Sequence, residues 1–375
     1  MKCGGATMKI LILSCNTGEG HHSAALAIKE VLDKRGLENE ITDPVSFAGD
    51  FASRKVADIY NSMIKRSPRT FGKVYRVGES YSNRFNRSPV YFANSLYAKR
   101  LLEYIKAQSF DRVICTHLYG MEAMTAIKRK LGVHIPCYGV LTDYTCIPFF
   151  CDTALDGYFI PHTALADEIA EKGIPREKLI ATGIPVSERF LIKTDKNEAR
   201  KIIGADVSNR MYLVMTGGVG CGNISEICDG IIKSEQGDFS VTVLAGKNEN
   251  LLSELNARYR TDDRITAVGF TRDVPVYMKA ADVLITKPGG LSSTEAAACE
   301  VPLVHLITIP GCETKNAEFF EALGMSVKSL SPSEAAKKAA ALAKDRPVCE
   351  KMLAAQRAEI NKYSARDIVK AVTEL

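Results

Sequence analysis

Two adjacent histidines, His21 and His22, stand where a predicted strand gives way to a predicted helix. The run MKILIL at residues 8–13 is short and apolar, as in a buried strand, and TGEGHH follows it. Small and apolar residues at helical spacing then continue to Leu32. In open α/β sheets this carboxyl edge of the strands binds ligands. A histidine there is either a group that meets a ligand or a residue of the helix N-terminus that faces water, and its position is equally consistent with both.

Glycine-rich turns follow three predicted strands: TGEGHH, TGGVGCGN at residues 216–223 and KPGGLSSTEAAA at residues 287–298. Backbone N–H groups at such turns donate to phosphate, and the dipole of the following helix favours the anion. The chain has no GxxxxGK[ST] loop and no Asp-x-Asp pair, so neither an ATPase-type loop nor a carboxylate-held metal is indicated. The turns predict a diphosphate held by backbone and hydroxyl groups. Glu295 suits the two hydroxyls of a ribose, and a capping role is the alternative.

Short apolar runs alternate with helical patterns through both halves of the 375-residue chain, and a polar run at 193–201 separates the halves. Two successive βα halves of similar size predict an α/β fold with two Rossmann-like, doubly wound domains that face each other across a cleft. The first domain is predicted to span residues 1–195, with a basic, aromatic, helical insertion at about 51–106. The second is predicted to span residues 196–355.

Positive charge is concentrated between Phe51 and Lys106, where twelve lysines and arginines stand against three acidic residues. The same segment is rich in tyrosine and phenylalanine. Such a mixture suits an anionic lipid surface, which attracts the cations and takes up the rings. Nucleic acid, through phosphate contacts and base stacking, and a plain solvated helical region are the alternatives.

Several classes of protein are not indicated. No apolar run approaches the roughly 18 residues of a membrane span, and the first residues lack the apolar region of a signal peptide. The eleven cysteines include no CxxC pair and no zinc-ligand spacing. Reduced thiols in a cytoplasmic protein are therefore expected.

Five motifs carry a resemblance to a known family. KPGGLSSTEAAACEVPLV resembles the carboxyl-terminal domain of glycosyltransferase family 28. TGEGHHSAA, LTDY at 141–144, TGIPV at 182–186 and IPGCETKNAEFF at 309–320 resemble the monogalactosyldiacylglycerol synthase and processive diacylglycerol glucosyltransferase branch. The resemblance implies the GT-B glycosyltransferase fold, in which residues 1–195 bind acceptor and membrane and residues 196–355 bind donor. Residues 356–375 are then expected to form a helix that crosses back to the first domain.

The resemblance also implies roles for individual residues. His21 becomes the base that takes a proton from the acceptor hydroxyl, Asp143 orients it or the acceptor, His117 supports them, and His22 has no direct role. The donor site divides by chemistry into diphosphate contacts (Gly18, Gly217, Gly218, Gly220, Gly289, Gly290, Leu291, Ser292), uridine contacts (Phe270, Glu295) and sugar contacts (Glu313, Asn316).

The implied reaction is inverting transfer of a hexose from a UDP-sugar to a lipid hydroxyl, diacylglycerol or a glycosyl-diacylglycerol, without a cofactor or a metal ion. A lipid acceptor favours the membrane interpretation of the basic segment over nucleic acid. A cytoplasmic enzyme, peripherally attached to the inner face of the cell membrane, is expected. The predicted membrane contacts are Arg54, Lys65, Arg66, Arg69, Lys73, Arg76, Arg84 and Arg87.

The sequence departs from the family pattern at three positions. Ile147 and Phe150 replace a histidine and a tryptophan that the branch has after Thr-Asp, and Cys312 replaces a glutamine before Glu313. The first two bear on the acceptor, and the third bears on the choice between sugars. Two other functions are compatible with parts of the sequence: a UDP-sugar enzyme of the same fold, such as a UDP-N-acetylglucosamine 2-epimerase, and a non-catalytic nucleotide- or RNA-binding module.

Overall fold

The computed structural model describes residues 8–15, 19–49, 89–215, 223–307 and 311–374. The chain divides into two compact units, the first formed by Met1–Ser187 with Asn361–Leu375 and the second by Glu188–Ile360.

The first unit is built on a parallel sheet of six strands in the order β2-β1-β3-β4-β5-β6. The central strands are short apolar runs, and residues 10–13 of β1 are fully buried because helices cover both faces of a parallel sheet. Leu13 at the end of β1 pairs with Thr42 of β2 and with Cys115 of β3. The strands are β1 Lys9–Leu13, β2 Glu38–Thr42, β3 Arg112–Cys115, β4 Cys137–Val140, β5 Gly157–Ile160 and β6 Leu179–Ala181.

α-Helices connect most of these strands, because parallel neighbours need a crossover, and a 3₁₀ turn lies between β4 and β5. Helix α4 begins with His117 as its N-cap and ends at Gly132, whose φ of 67° is a left-handed conformation that favours glycine. The α-helices are α1 Glu19–Lys34, α2 Pro89–Ser95, α3 Ala98–Ala107, α4 Leu118–Leu131 and α5 Ala166–Glu171. Single 3₁₀ turns lie at Pro44–Ala48, Phe150–Asp152, Thr163–Leu165 and Arg176–Lys178.

The second unit repeats the plan with a parallel sheet in the order β12-β11-β10-β7-β8-β9. Its strands are β7 Arg210–Met215, β8 Phe239–Leu244, β9 Ile265–Val268, β10 Val283–Thr286, β11 Leu303–Leu306 and β12 Val327–Ser329. Its α-helices are α6 Lys196–Ile203, α7 Ile224–Ser234, α8 Glu249–Arg258, α9 Val274–Ala280, α10 Gly290–Ala298, α11 Cys312–Ala322, α12 Pro332–Leu342 and α13 Arg346–Glu359. A 3₁₀ turn at Glu188–Leu191 precedes α6.

The last helix, α14 Ser364–Glu374, packs in the first unit. Its apolar residues Ile368, Val369 and Val372 are fully buried in one cluster with Ile10 of β1 and Ile28 of α1. Arg112 of β3 also donates a hydrogen bond to the carbonyl oxygen of Val372. The chain therefore returns to the first unit after it has formed the second, and its last helix completes the core of the first unit.

Two strands carry no clear signal in the sequence. The segment ENEIT of β2 and the segment VKS of β12 are short and half-polar, and each lies at the outer edge of its sheet. Edge strands have one side free of neighbours, so they need less apolar surface than central strands.

The basic segment is only partly described. Residues 89–106 form helix α2 and most of α3, and all eight predicted membrane contacts between residues 54 and 87 lie outside the described residues. Among the helices that can be described, none combines the length and the apolar character that crossing a bilayer requires.

Candidate functional site

Three neighbouring strands of the first sheet lead into the two predicted catalytic residues, His21 and Asp143, and the predicted supporting residue His117. His21 lies in the first turn of α1 after β1, His117 caps α4 after β3, and Asp143 follows β4. Since β3 lies between β1 and β4, these residues share one edge of the sheet. Gly120 permits the close approach of α4 to this edge, because a Cβ there would lie only 2.9 Å from Cβ of Leu13.

The hydrogen bonds of His21 determine which of its ring nitrogens carries the proton. Nδ1 lies 2.9 Å from the backbone carbonyl oxygen of Thr116 and 2.9 Å from Oγ1 of Thr142. A carbonyl oxygen can only accept, so Nδ1 carries the proton and donates it to this oxygen. In the neutral ring Nε2 then holds the lone pair. The arrangement suits a general base acting through Nε2.

Burial keeps His21 neutral. Loss of hydration lowers the pKa of His21 below its usual value of 6.5, and the hydrogen bond to Thr116 opposes this shift without cancelling it. The residue as a whole is half-buried. A neutral imidazole with its lone pair on Nε2 is the form that accepts a proton.

His117 stands directly beside His21. Their ring centroids lie 4.6 Å apart with the planes at 86°. Nδ1 of His117 accepts a hydrogen bond from the backbone N–H of Tyr119 at 3.2 Å, so its proton lies on Nε2. Burial first, and then repulsion from His21, lower the pKa of His117 well below 6.5. His117 is therefore a neutral neighbour of His21, and its supporting role stays a prediction.

The other predicted residues of this edge have different outcomes. Asp143 is half-buried in the loop after β4. The hydrogen-bond partners described for Nδ1 of His21 are the oxygen atoms of Thr116 and Thr142, so the orienting role of Asp143 stays a prediction. Gly18 lies outside the described residues. Phe150 is completely buried, with its ring packed edge-on against Tyr158 at 5.3 Å between centroids.

In the second unit, helix α10 opens at the third glycine turn. Gly289 is its N-cap, and the first backbone bond within the helix runs from Ser293 N–H to Gly289 O at 3.0 Å. The N–H groups of Gly290, Leu291 and Ser292 therefore have no acceptor inside the helix, as at every helix start. These donors, at the positive end of the helix dipole, suit the predicted diphosphate.

The two hydroxyls that follow are used within the protein. Oγ1 of Thr294 donates to the carbonyl oxygen of Gly290 at 2.7 Å. Oγ of Ser293 lies 2.9 Å from Nε2 of His305, whose Nδ1 lies 3.0 Å from Oγ of Ser326. All four of these side chains are buried, and burial lowers the pKa of His305 to about 3. The network fixes α10 against the sheet and leaves Ser292 as the accessible hydroxyl of the first turn.

The predicted uridine contacts lie on the same unit. Glu295 stands in the second turn of α10, where burial raises its pKa to about 8 and the positive charge of Arg189 opposes that shift. Phe270 follows β9 and its side chain is 62% exposed. Nζ of Lys247, which follows β8, lies 5.6 Å from the centroid of the Phe270 ring. An exposed ring beside a cation suits a stacked base.

The predicted sugar contacts lie at the start of α11. Glu313 is buried and pairs through Oε1 with Nζ of Lys287 at 2.8 Å. Asn316 is completely buried, and its amide donates to the carbonyl oxygen of Pro288 at 3.0 Å. In this structure Asn316 supports the glycine turn, and its direct contact with a sugar stays a prediction.

Some predicted features fall on residues that are not described. Gly217, Gly218 and Gly220 of the second glycine turn lie in the gap between residues 215 and 223. Within the described ranges, no group of three or more His, Cys, Asp or Glu side chains is arranged to hold a metal ion.

Sequence reasoning missed four residues that contact the predicted site. Thr116 acts through its backbone carbonyl, which any residue type supplies, so the sequence carries no signal for it. Thr142 lies in the LTDY motif, in which the resemblance implies a role for its neighbour Asp143 alone. Lys247 and Lys287 each follow a strand of the second sheet. For Lys287 the sequence does carry a signal, namely a lysine at the end of a strand and directly before a glycine turn.

Two family models match the chain. The model for monogalactosyldiacylglycerol (MGDG) synthase matches residues 21–186, and the model for glycosyl transferases group 1 matches residues 226–359. The processive diacylglycerol beta-glucosyltransferases of two Bacillus cereus strains, G9842 and B4264, are each 28% identical to this chain over 346 residues, which make up 90% of it and 86% of their own length. The chain is related to this branch of glycosyltransferases. The resemblance that the sequence motifs indicate is thereby confirmed.

Several solved structures share the fold of this chain. MurG of Acinetobacter baumannii superposes with a TM-score of 0.65 at 14% identity, over 98% of this chain and 100% of its own. The S. aureus MnaA-UDP co-structure has a TM-score of 0.62 at 16% identity, over 97% and 95%. The Neisseria meningitidis UDP-GlcNAc 2-epimerase has a TM-score of 0.61 at 16% identity, over 98% and 100%. The predicted GT-B fold is confirmed, and at these identities the likeness concerns the fold alone.

Proposed function

We propose that this protein is an inverting, UDP-sugar-dependent hexosyltransferase that glycosylates diacylglycerol, or a glycosyl-diacylglycerol, at the cytoplasmic face of an anionic membrane. The similarity to the Bacillus cereus processive diacylglycerol beta-glucosyltransferases, spread over 90% of the chain, supports the acceptor and the reaction class. The observation that carries the proposal is the hydrogen bond from Nδ1 of His21 to Thr116, because it leaves Nε2 as a proton acceptor.

The chemistry follows from this tautomer. Nε2 of His21 removes the proton from the acceptor hydroxyl while the hydroxyl oxygen attacks the anomeric carbon of the donor sugar. A new carbon–oxygen bond forms as the bond from this carbon to the UDP oxygen breaks, so the configuration inverts. The proton resides on His21, and UDP leaves with its electron pair. Thr116 and Thr142 hold the ring during this step.

The start of α10 supplies partial positive charge that complements the negative charge of the leaving group. The departing diphosphate gains negative charge, and the N–H groups of Gly290, Leu291 and Ser292 are donors fixed in advance. The buried bonds of Ser293 and Thr294 hold these donors in place. In this proposal backbone groups stabilise the leaving group, so the reaction does not require a metal ion.

A surface of the first unit suits an anionic membrane. Phe92 and Leu96, in and just after α2, are 50% and 85% exposed, and Leu131 at the end of α4 is 39% exposed. Nζ of Lys130 lies 5.7 Å from the Phe92 ring and donates to Oγ of Ser95, so the two helices present one continuous surface. Further cations are exposed in α3 and α4: Lys99, Arg100, Lys106 and Arg129. We name Phe92, Leu96, Leu131 and Lys130 the docking patch.

Exposed apolar side chains among cations are the composition of a peripheral membrane surface. The apolar groups enter the headgroup region, and each lysine or arginine gains about 1 kcal/mol near an anionic leaflet. The predicted membrane contacts from Arg54 to Arg87, which lie outside the described residues, belong to the same proposal. Reversing the charge of about five of them should release the protein from anionic vesicles.

A lipid-product assay tests the function. The protein is incubated with diacylglycerol in anionic vesicles and, separately, with UDP-glucose, UDP-galactose or UDP-N-acetylglucosamine, in the presence of a chelator, and the lipids are analysed by mass spectrometry. We expect a glycosylated lipid from one donor, and successive additions if the enzyme is processive. His21→Ala should abolish the product while UDP still binds, and the adjacent His22→Ala should retain activity.

Other results would point to other functions. Conversion of UDP-N-acetylglucosamine to its epimer without lipid would replace the proposal by the epimerase reaction, whose known enzymes share this fold. Loss of UDP binding in His21→Ala would move His21 to the donor site. Salt-sensitive RNA binding that UDP does not affect, with no lipid product, would favour a binding module.

A further inference from the structure

Lys287 and Glu313 form an ion pair between the third glycine turn and the first turn of α11. Nζ of Lys287 lies 2.8 Å from Oε1 of Glu313, whose side chain is 8% exposed, against 26% for the lysine. A buried carboxylate without a partner is costly, and the ammonium group supplies its partner. The pair joins a residue predicted to contact the sugar to the loop predicted to hold the diphosphate.

The second carboxylate oxygen of Glu313, Oε2, differs from the first in its hydrogen bonding. Oε2 is buried and has no hydrogen-bond partner in the part of the chain that the structure describes. Buried polar atoms in native proteins nearly always have a partner. Of the two oxygens of this carboxylate, Lys287 hydrogen-bonds Oε1, so the capacity of Oε2 to accept hydrogen bonds is unused.

A second contact makes the same connection. The amide of Asn316, one turn along α11, donates to Pro288 O at 3.0 Å, directly beside Lys287 in the chain. Before the helix, Gly311 has a φ of 123°, a conformation that side chains rarely adopt. The start of α11 is thus fixed in direction and attached to the glycine turn at two successive residues, 287 and 288.

We infer that Lys287 is a positioning residue for the donor sugar: it holds the Glu313 carboxylate so that Oε2 accepts hydrogen bonds from hydroxyls of the transferred hexose. This inference rests on the proposed function. Lys287 acts through Glu313 and not on the diphosphate, so its loss affects binding of the sugar part of the donor and spares the UDP part.

Paired binding measurements separate these contributions. Dissociation constants for UDP and for the UDP-hexose that wild-type protein transfers are measured by calorimetry on the full chain. Lys287→Met should weaken UDP-hexose binding by about tenfold or more, the effect of losing a held hydrogen bond to a charged group, and change UDP binding less than about threefold. Lys287→Arg keeps a cation beside Glu313, so this variant should retain most of the wild-type affinity for UDP-hexose.

A double-mutant cycle tests the dependence on Glu313. Glu313→Gln should reproduce the loss of Lys287→Met, and the double variant should be no weaker than either single variant, because both remove one interaction. Lys328→Met is the matched control: it breaks the 2.8 Å pair with Glu321 at the other end of α11 and should change neither affinity.

The outcomes are distinct. An equal loss for UDP and UDP-hexose in Lys287→Met would place the lysine on the diphosphate and overturn the inference. Unchanged affinities, with the melting temperature lowered, would reduce the pair to a structural tie and overturn it as well. If wild-type protein binds neither ligand, the proposed function fails first, and the inference fails with it.

Discussion

Oγ1 of Thr142 and Nδ1 of His21 lie 2.9 Å apart, although 121 residues separate them in the chain. The same nitrogen lies 2.9 Å from the carbonyl oxygen of Thr116. The ring that we propose as the base is therefore oriented by two neutral oxygens from adjacent strands. A neutral partner fixes the tautomer without the charge that would raise the pKa of the imidazole.

Removing the hydroxyl of Thr142 should slow transfer. In Thr142→Val the ring loses one of the two oxygens that hold it, and a hydrogen bond worth about 1 kcal/mol corresponds to roughly a five- to tenfold lower kcat. Thr142→Ser keeps the hydroxyl and should retain most of the activity. UDP affinity, measured alongside, should not change, since UDP is proposed to bind the second unit. A full rate in Thr142→Val would leave Thr116 as the sole orienting group.

The pH dependence of kcat should report the base. His21 acts only when neutral, and burial lowers its pKa from 6.5, so activity persists below pH 6.5 and declines as pH falls through the lowered value. The measurement uses saturating donor, which removes the effect of donor binding on the profile. A decline that begins well above pH 6.5 would contradict a buried, neutral His21.

The sequence indicates the central strands and not the edges, for a physical reason. KILIL of β1 is buried on both faces, so its apolar run stands out. ENEIT of β2 has one neighbouring strand and polar residues, so it resembles a loop. The sequence also shows which residues could do chemistry, because a carboxylate, an imidazole or a glycine turn at a strand end is readily recognised. The contact of Glu295 with a ribose stays a prediction.

Partners of those residues are harder to predict. The hydrogen-bond acceptor for Nδ1 of His21 is the backbone carbonyl oxygen of Thr116. Every residue type has this group, so the sequence does not indicate it. Asn316 has a type suited to sugar hydroxyls, yet it is completely buried and bonded to Pro288, because tertiary packing decides where an amide points. Motifs identify groups that can do chemistry, whereas the contacts that orient them depend on long-range packing.

UDP affinity should rise with pH. Burial raises the pKa of Glu295 to about 8, so the free protein holds this carboxyl largely protonated at neutral pH. Ribose hydroxyls donate to the ionised form, so binding favours loss of the proton. Affinity should therefore increase up to about tenfold per pH unit below pH 8 and level off above it. Calorimetric titrations of UDP between about pH 7 and pH 9 measure this slope.

Glu295→Gln provides the control for that slope. The amide is similar in size and does not ionise in this range, so UDP should bind more weakly at pH 8.5 and with little dependence on pH. A slope that persists in Glu295→Gln would assign the titration to another group. An unchanged affinity would place the ribose contact elsewhere on the second unit.

The docking patch should account for part of the membrane affinity. Leu96 is 85% exposed, and transferring a leucine or phenylalanine side chain out of water contributes about 1.5–3 kcal/mol. Leu96→Ser and Phe92→Ser should each lower the partition coefficient onto anionic vesicles by about tenfold or more, with UDP binding unchanged. Leu330→Ser is the matched control, since Leu330 is 73% exposed in the second unit and should not contact lipid. Sedimentation with vesicles measures all three variants, and an equal loss in Leu330→Ser would mean that nonspecific apolar exposure, not this patch, drives the binding.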